Sequence, residues 1–295
     1  MQHDYLLSCE STVDMPYSYI NGRGLNVLFY SYSVDGKEYP DDMERDPEAL
    51  GRFYGFIADG KVPSTSQINT FTYVDYFRDL LKQGDVLHIA FGSGMTPSVN
   101  NAFEAAEQLK SEFPDRRLIV IDSYCSSSGY GLLVDSAADL WDEGKSIDEV
   151  ADWTRSQAKK VHHQFFTSEL QYFKRSGRMS GPAATIATIL NICPIMRLNN
   201  AGRIIAYDKV RGKKAAIRRT LDEIEATAVG GKDYSGKMFI CNANVHADAE
   251  ELERAIRERF PKITDIRIFN IGTIIASHCG PGTVAAFYFG CERPE

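Results

Sequence analysis

The α/β character of this chain is clearest in residues 85–97, which read Asp85-Val-Leu-His-Ile-Ala-Phe-Gly-Ser-Gly-Met-Thr-Pro97. The apolar segment Asp85–Phe91 predicts a buried strand, and the two glycines after it predict a turn. Thr96 and Pro97 predict the start of a helix, because threonine caps a helix and proline suits its first position. That helix should end before Pro114. A strand, a polar turn and a capped helix in succession are typical of an α/β sheet.

The same alternation continues on both sides of this segment. Short apolar strands are predicted at Tyr5–Cys9 and Leu118–Asp122, and a helix is predicted at Tyr73–Lys82. Asn26–Tyr39 reads as a strand and hairpin around Asp35-Gly36. Ser146 and Glu149 form a capping box that predicts one more helix. These elements imply an α/β fold with a largely parallel sheet.

The pattern changes after about residue 160 and predicts a second α/β unit. We therefore expect two α/β domains, residues 1–160 and 161–295. The elements predicted for the second domain are a small-residue helix from Pro182 toward Cys193, a hairpin of Ile195–Leu198 and Arg203–Tyr207, helices Lys213–Ala228 and Ala247–Phe260, and strands Lys237–Asn242 and Asp265–Phe269. His162 and His163, near the start of this domain, are expected on an exposed helix face.

Composition excludes several classes of protein. The 295 residues suffice for two domains of ordinary size. Apolar runs such as Ala183–Leu190 are too short to span a bilayer, and the N-terminus lacks the pattern of a signal peptide. The six cysteines include no Cys-x-x-Cys pair, which argues against zinc ribbons and a disulfide framework, so we expect reduced thiols in a cytoplasmic protein. We also expect no metal site and no cofactor.

Charge is distributed unevenly along the chain. The net charge is −7, yet residues 155–219 contain fourteen Lys and Arg residues against only Glu169 and Asp208, a local balance of +12. A solvated helix face explains part of this excess. Such asymmetry also favours a surface that meets an acidic partner or a phosphate. Nucleic acid fits less well, because the rest of the chain is acidic and no aromatic RNA-binding motif is present.

Four polar segments follow predicted strands, where α/β sheets usually bind ligands. They are Pro63–Gln67, Gly92–Thr96, Asp122–Gly129 and the loop around His278. Ser93 lacks the flanking glycines of a nucleophile elbow, and Gly231-Lys232 is not followed by the serine or threonine of a phosphate-binding loop. Gly280–Ala285 imitates a dinucleotide-binding pattern but precedes a strand, so we reject that interpretation.

The segment Ile271–Gly282 carries a single histidine toward a turn of glycine and proline. A β-branched apolar run leads to His278, and Gly280-Pro281-Gly282 predicts a turn that something can approach closely. An imidazole on such a loop can hydrogen-bond an anion or a carbonyl group, or transfer a proton. A purely structural turn with a satisfied histidine is the alternative.

Five segments together resemble the DegV family, the bacterial fatty-acid-binding proteins that serve fatty acid kinase. In chain order they are Thr65–Gln67, Gly92–Thr96, Ile121–Ser123, Ser176–Ser180 and Ile271–Gly282. The resemblance spans nearly the whole chain. It implies a two-domain α/β protein that holds one long-chain fatty acid in an apolar tunnel between its domains. A separate kinase then phosphorylates the carboxyl group, and the acyl phosphate feeds phospholipid synthesis, with a phosphate acyltransferase as a further candidate partner.

The resemblance also implies roles for individual residues. The carboxylate ligands of the family fall on Thr65, Ser93 and His278, and Arg178 matches a position associated with the kinase-facing surface. The loops that support these ligands contain Ser66, Gly94, Gly280 and Gly282. The chain departs from the family pattern at Gly92, which removes a hydroxyl, and at Pro97, which removes a backbone donor.

Physical chemistry makes such a site reasonable. Burying about fifteen methylene groups at ~0.8 kcal/mol each is worth on the order of 12 kcal/mol before ordering costs, which favours a closed tunnel. Ala183–Ile192, Met95, Phe91 and Phe71 are candidates for its lining. The hydroxyl and imidazole groups could satisfy the buried carboxylate, which would otherwise be costly to bury.

Two functions remain open from the sequence. The first is a lipid-binding carrier that performs no chemistry of its own. The second is a hydrolase or acyltransferase in which Ser93 is the nucleophile, His278 the base and Asp122 the orienting acid.

Overall fold

The computed structural model describes residues 3–180 and 192–295. Its strands are β1 (Tyr5–Glu10), β2 (Asn26–Leu28), β3 (Ser31–Val34), β4 (Lys37–Pro40), β5 (Ser64–Thr65), β6 (Asp85–Ala90), β7 (Leu118–Asp122), β8 (Val161–Thr167), β9 (Met179–Ser180), β10 (Ile192–Leu198), β11 (Ile204–Arg211), β12 (Met238–Asn242), β13 (Ile266–Asn270) and β14 (Thr283–Phe289). Its α-helices are α1 (Tyr17–Gly22), α2 (Ala49–Ala58), α3 (Thr70–Leu81), α4 (Ser98–Leu109), α5 (Ser127–Asp142), α6 (Ile147–Gln157), α7 (Leu170–Ser176), α8 (Lys213–Thr227), α9 (His246–Arg259) and α10 (Thr273–Cys279).

The N-terminal half contains a wholly parallel four-stranded sheet in the order β2-β1-β6-β7. Leu7 pairs with Leu87, which in turn pairs with Ile119. Leu7 and Leu87 are completely buried, as expected for a sheet covered by helices on its faces. The prediction of a largely parallel sheet is confirmed.

The C-terminal half contains a mixed seven-stranded sheet in the order β13-β12-β14-β8-β10-β11-β9. Strand β8 lies between two antiparallel neighbours, β14 and β10, and the outer pairs β12–β13 and β11–β9 are parallel. The strands of the parallel sheet all precede residue 160, and those of the mixed sheet all follow it. The division into domains 1–160 and 161–295 stays a prediction.

A third, small sheet has the order β4-β3-β5 and positions the Thr65 segment. Tyr32 of β3 pairs with Thr65 of β5. Tyr32 also stacks on Tyr39 and meets Phe53 edge-on, so this small sheet rests on helix α2. Thr65 is therefore held by strand pairing rather than carried on a free loop.

Helix α5 joins the two large sheets. It packs against β1 of the parallel sheet and against β8, β12 and β14 of the mixed sheet. Almost every residue from Ser127 to Ala138 is buried, including Tyr130 and Leu133, which are fully inaccessible. A helix buried on all sides is characteristic of a layer between two sheets.

The helix caps were predicted in part. The capping box of Ser146 and Glu149 is present at the start of α6. The helix predicted to open at Thr96-Pro97 begins at Ser98 instead, with Pro97 at the cap position. No helix within the described residues is long and apolar enough to cross a membrane.

One prediction about the second half is wrong, and another can be compared with the structure only at its last two residues. His162 and His163 lie in strand β8, only 2 % exposed, and not on a solvated helix. Burial lowers the pKa of His162 to about 4 and that of His163 well below its usual value. The predicted helix from Pro182 toward Cys193 lies mostly outside the described residues, and its last two residues, Ile192 and Cys193, belong to strand β10.

Candidate functional site

Thr65 and His278 meet in the folded chain although 213 positions separate them. Thr65 Oγ1 and His278 Nε2 are 2.8 Å apart and share one hydrogen bond. The threonine comes from β5 at the edge of the small sheet, and the histidine comes from α10, which follows the edge strand β13 of the mixed sheet. Two residues that sequence reasoning assigned to one ligand site are thus brought together.

His278 lies on a helix and not on a loop, which corrects the sequence interpretation. Helix α10 begins directly after Gly272 and contains His278 in its last turn. The β-branched run before the histidine suggested an extended segment, yet it forms a helix in which Ile274 and Ala276, on different sides, are both buried. A helix fixes the direction of the imidazole more firmly than a loop would.

The imidazole of His278 is neutral over most of the pH range. Its pKa falls to about 4, first because the ring is buried and then because the Arg178 guanidinium repels a second positive charge. A neutral imidazole has one nitrogen that donates and one that accepts. With Nε2 engaged by Thr65, the pair offers a hydroxyl and a ring edge that can adapt to a polar ligand group.

A cavity of about 320 Å³ opens beside this pair. Its polar end contains Thr65, Ser66, His278 and Arg178. Gln67, Thr96 and Ser126 also line it, and most of the remaining wall is apolar. The apolar wall includes Phe91, Met95, Phe173, Ile204, Ile274 and Ile275. Such a cavity, mostly apolar with a few polar groups at one end, is typical of a site for a small amphipathic molecule.

A smaller cavity of about 50 Å³ continues the apolar wall into the interior. It shares Phe173, Ile204, Ile275 and Cys279 with the first cavity and adds residues of the mixed sheet, among them Phe165, Leu198 and Phe287. The two adjoining cavities run from the Thr65–His278 pair toward the strands of the mixed sheet.

Some of the residues predicted to line the cavity do so, and one does not. Phe91 and Met95 line the larger cavity as expected. Phe71 does not, because its side chain is 73 % exposed at the start of α3. Residues 183–191 of the proposed lining lie outside the described residues. Sequence reasoning missed Tyr30, Phe173 and Ile204, which ordinary apolar strand or helix patterns do not distinguish from core.

Ser93 stands apart from the Thr65–His278 pair. Its side chain is exposed, and it is not among the described residues that line the cavity. Its backbone N–H donates to Asp122 Oδ1 at 3.1 Å. The turn after β6 directs Met95 and Thr96, rather than Ser93, toward the cavity.

The turn after β6 requires glycine at position 94. A Cβ atom at Gly94 would overlap the carbonyl group of Gly202, in the hairpin between β10 and β11. Only glycine permits that approach between the loop of the parallel sheet and the hairpin of the mixed sheet. Gly280 and Gly282 also have positive φ angles, +63° and +88°, at the end of α10.

The described residues do not assemble a catalytic triad from Ser93, His278 and Asp122. The Nε2 atom of His278 bonds to Thr65, and Oδ1 of Asp122 accepts the backbone N–H groups of Ser93 and Tyr124. No imidazole is therefore hydrogen-bonded to the Ser93 hydroxyl in this arrangement, which a serine nucleophile requires.

Arg178 lies at the mouth of the cavity. Gly177 adopts a φ of +66° at the end of α7, and Arg178 follows it as an exposed side chain whose Nη1 donates to the Ser176 carbonyl at 2.6 Å. Other bases of the same segment are paired with acids, two of them distant in sequence and one a single turn away on α8. Arg197 and Arg219 bond to Glu223, and Lys213 bonds to Asp248. The local charge excess is thus partly neutralised by tertiary contacts.

Comparison with known proteins gives these features a context. The fold and the site define an α/β protein with an apolar cavity beside a polar pair of hydroxyl and imidazole groups. Residues 8–290 match the family model described as "Uncharacterised protein, DegV family", so the chain belongs to the DegV family.

Three relatives show how far the likeness extends. A DegV domain-containing protein of Clostridium perfringens is 35% identical over 97% of both chains. The structure of a DegV family protein from Thermus thermophilus, described as binding fatty acid, has a TM-score of 0.85 at 25% identity and covers 97% of this chain and 99% of that one. The Streptococcus pneumoniae Fatty Acid Kinase (Fak) B3 protein, loaded with linoleic acid, shares the fold with a TM-score of 0.82 at 21% identity, over 97% of this chain and 99% of that one.

Proposed function

We propose that this chain binds one long-chain fatty acid, with its carboxyl group at Thr65 and His278 and its tail in the adjoining apolar cavities. The observation that carries the proposal is the hydrogen-bonded Thr65–His278 pair at the polar end of a mostly apolar cavity. Relatives of the same family whose structures are described as fatty-acid complexes support this choice of ligand.

The chemistry of the pair suits a carboxyl group. Because the imidazole is neutral and its Nε2 is bonded to the threonine, the pair keeps one donor for a carboxylate, either the threonine O–H or the ring Nδ1–H, and a hydrogen bond to a charged group contributes about 1.5–3 kcal/mol. Ser93 remains the proposed third ligand. Its hydroxyl lies on the turn that carries Met95 and Thr96, both of which line the cavity. A local change of that turn on ligand binding would bring it closer.

The tail would lie in the apolar part of the cavity, whose wall is formed by residues from both halves of the chain. Phe91 and Met95 come from the parallel-sheet half, and Phe173 and Ile204 come from the other half. We therefore propose a tunnel between the two predicted domains. Removal of the whole tail from water supplies most of the driving force for binding.

The proposed role in the cell is presentation of the bound carboxyl group to a separate fatty acid kinase. Arg178 is exposed at the mouth of the cavity and would face the kinase, whose nucleotide phosphates and acidic side chains it could bind. The acyl phosphate would then pass to a phosphate acyltransferase. In this proposal the chain is a carrier in the cytoplasm and not itself an enzyme.

Native mass spectrometry of gently purified protein tests the lipid part of the proposal. We expect one copurifying fatty acid per chain. After delipidation, added oleate or palmitate should restore the mass. A chain that carries no lipid and ignores both added fatty acids would refute the proposal, and turnover of acyl esters that Ser93→Ala abolishes would favour the hydrolase instead.

Arg178→Ala tests the kinase part separately. We expect slower kinase-dependent phosphorylation of the bound fatty acid, with unchanged lipid content. Arg211→Ala is the matched control, because Arg211 is another exposed arginine of the same basic segment and does not line the cavity. Equal loss of bound lipid in Arg178→Ala would contradict the docking role.

A further inference from the structure

A second cavity, of about 290 Å³, lies at the start of α10. It shares no described lining residue with the cavity beside Thr65 and His278. Asp14 and Asp41 form its floor and are only 4 % and 1 % exposed. Its rim carries three more acids, Asp42, Glu44 and Asp46. We call this cavity the acidic pocket.

Each of the two buried carboxyl groups has one oxygen without a hydrogen-bond partner of good geometry. Asp14 Oδ2 accepts from the Ser127 hydroxyl, and Asp41 Oδ1 accepts from the Thr273 hydroxyl at 2.8 Å. Asp14 Oδ1 and Asp41 Oδ2 accept no hydrogen bond of good geometry from the described residues, and the further donors beside these carboxyl groups are the Gly272 backbone N–H at Asp14 and the Ser11 hydroxyl and Thr273 backbone N–H at Asp41. The carboxyl groups converge on Gly272, where a Cβ atom would lie 2.6 Å from Asp14 Oδ1 and 3.4 Å from Asp41 Oδ1.

The negative charge of this pair is not compensated by a base. Two arginines near the rim pair with acids of the rim and not with Asp14 or Asp41. Arg45 Nε lies 3.8 Å from Asp42 Oδ1, and Arg52 Nη2 lies 2.6 Å from Asp46 Oδ2. Within the described chain, no lysine or arginine forms an ion pair with Asp14 or Asp41. Burial and then the neighbouring Asp41 raise the pKa of Asp14, and burial raises the pKa of Asp41 to about 6. The pair therefore retains a proton at a higher pH than ordinary carboxyl groups do, and a cation that binds the pair would displace that proton.

The shape of the pocket distinguishes between kinds of cation. In residues 3–180 and 192–295, no three acidic, imidazole or thiol groups converge closely enough to hold a metal ion. The walls above the carboxyl groups are apolar and include Met15, Met43, Leu50 and Ile271. Apolar walls over an acidic floor fit a side chain with an aliphatic stem and a charged head. Arginine suits the floor best, because its guanidinium binds carboxylates through several N–H groups at once.

We propose that the acidic pocket receives an arginine side chain of a partner protein. Gly272 and Thr273 line the pocket, and His278 follows Thr273 on the same helix at a distance of about 8 Å along its axis. The arginine would therefore dock at one end of α10 while the lipid site occupies the other end. The proposal rests on the pocket and not on the identity of the lipid.

Titration of the isotope-labelled full chain with a short arginine peptide, acetyl-Gly-Arg-Gly-amide, tests the proposal by NMR. The matched probe replaces arginine by citrulline, which has the same shape without the charge. We expect the arginine peptide to shift the backbone amide signals of Asn270, Gly272 and Thr273, with at least tenfold weaker binding of the citrulline peptide. Equal binding of the two peptides, or shifts confined to other regions, would overturn the proposal.

Variants and a metal titration complete the test. Asp41→Asn should weaken arginine binding at least tenfold, and Glu44→Gln at the exposed rim provides a second variant should Asp41→Asn not fold. Asp79→Asn, an exposed acid on α3, should leave binding unchanged. Copurified lipid should stay at the wild-type level in the pocket variants, which separates this result from a failure of the fatty-acid proposal. Magnesium alone producing the same shifts and blocking the peptide would overturn the proposal in favour of a metal site.

Discussion

At the scale of single residues, the hydrogen-bonded pair of Thr65 and His278 is the centre of the proposed site. The hydrogen bond between them fixes one imidazole nitrogen, and burial keeps the ring neutral. The nearest cationic contribution comes from Arg178, which is exposed and stays in contact with water. A half-buried pair without net charge can accept either a carboxylate or its protonated form at the end of an apolar tail.

Thr65→Val should weaken fatty-acid binding while preserving the fold. Valine has the same shape but leaves His278 Nε2 and the ligand carboxyl group without a partner, so we expect about 10–100-fold lower affinity. Displacement of a fluorescent fatty acid from delipidated protein measures the change. Thr70→Val is the matched control, since the Thr70 hydroxyl bonds to exposed Glu104 outside the cavity. Equal affinities of the two variants would argue against a ligand role for Thr65.

Acidification should destabilise the ligand-free protein partly through His278. The ring has a pKa of about 4 when folded and about 6.5 when unfolded, so the unfolded chain binds the proton first as pH falls. The full contribution to stability is present above pH 6.5 and is lost progressively toward pH 4.

Urea denaturation at pH 7.5 and pH 5 measures this effect. The free energy of unfolding should fall by about 2 kcal/mol less in His278→Gln than in the wild type, because glutamine does not titrate. His246→Gln, a change at an exposed histidine, should follow the wild type. Identical pH dependence in all three proteins would contradict a buried neutral His278.

At the scale of elements, the short helix α10 contributes residues to both the proposed lipid site and the acidic pocket. Its first residue lines the acidic pocket, and Ile274, Ile275 and His278 line the larger cavity. Gly280 ends the helix with φ +63° and ψ −175°, a conformation that favours glycine. The ring of Tyr172 from α7 lies directly against this glycine. The position of His278 therefore depends on close packing between α7 and α10.

Gly280→Ala should displace or destabilise this contact. The new methyl group would overlap the Tyr172 ring in addition to straining the backbone, so we expect a loss of about 3 kcal/mol or more in the free energy of unfolding. Gly144→Ala separates the two effects, because Gly144 has φ +78° but open space around it. It should cost only about 1 kcal/mol. Chemical denaturation measures the free energy of unfolding of both variants. An equal decrease in the two variants would contradict the close packing of Tyr172 against Gly280.

At the scale of the whole molecule, two sheets pack on opposite sides of α5, and the cavity draws its wall from both halves of the chain. A ligand in that position contacts elements that are distant in sequence. It therefore binds only the folded chain and stabilises it by mass action.

Added palmitate should raise the melting temperature of the delipidated protein. At a free concentration of about 100 times the dissociation constant, the folded state gains about 2.7 kcal/mol. At ~2.1 cal/mol/K of unfolding entropy per residue, this corresponds to a rise in melting temperature of roughly 4 °C for 295 residues. Palmitic acid methyl ester is the control, because it keeps the tail and removes the acidic group that Thr65 and His278 should bind. Calorimetry showing equal stabilisation by both compounds would contradict a carboxyl site at this pair.

Part of the fold was predictable from local pattern. The alternation around residues 85–97, the capping box of Ser146 and the turn glycines act over a few residues, and the structure confirms the parallel sheet that they imply. His162 and His163 were misplaced because a buried polar strand between two neighbours has no alternation to reveal it. Phe71 was misassigned because an aromatic side chain can face water at the start of a helix without any sign in the sequence.

The sequence by itself determined the class of the fold, the family and the residue types offered for a carboxyl group. These follow from short-range periodicity and from motifs that keep their order along the chain. Only the tertiary structure decided that Thr65 and His278 touch, that Ser93 faces solvent, and that Glu223 and Asp248 neutralise distant bases. Such contacts depend on how strands and helices from both halves pack in three dimensions, and no local pattern encodes a distance between residues more than 200 positions apart.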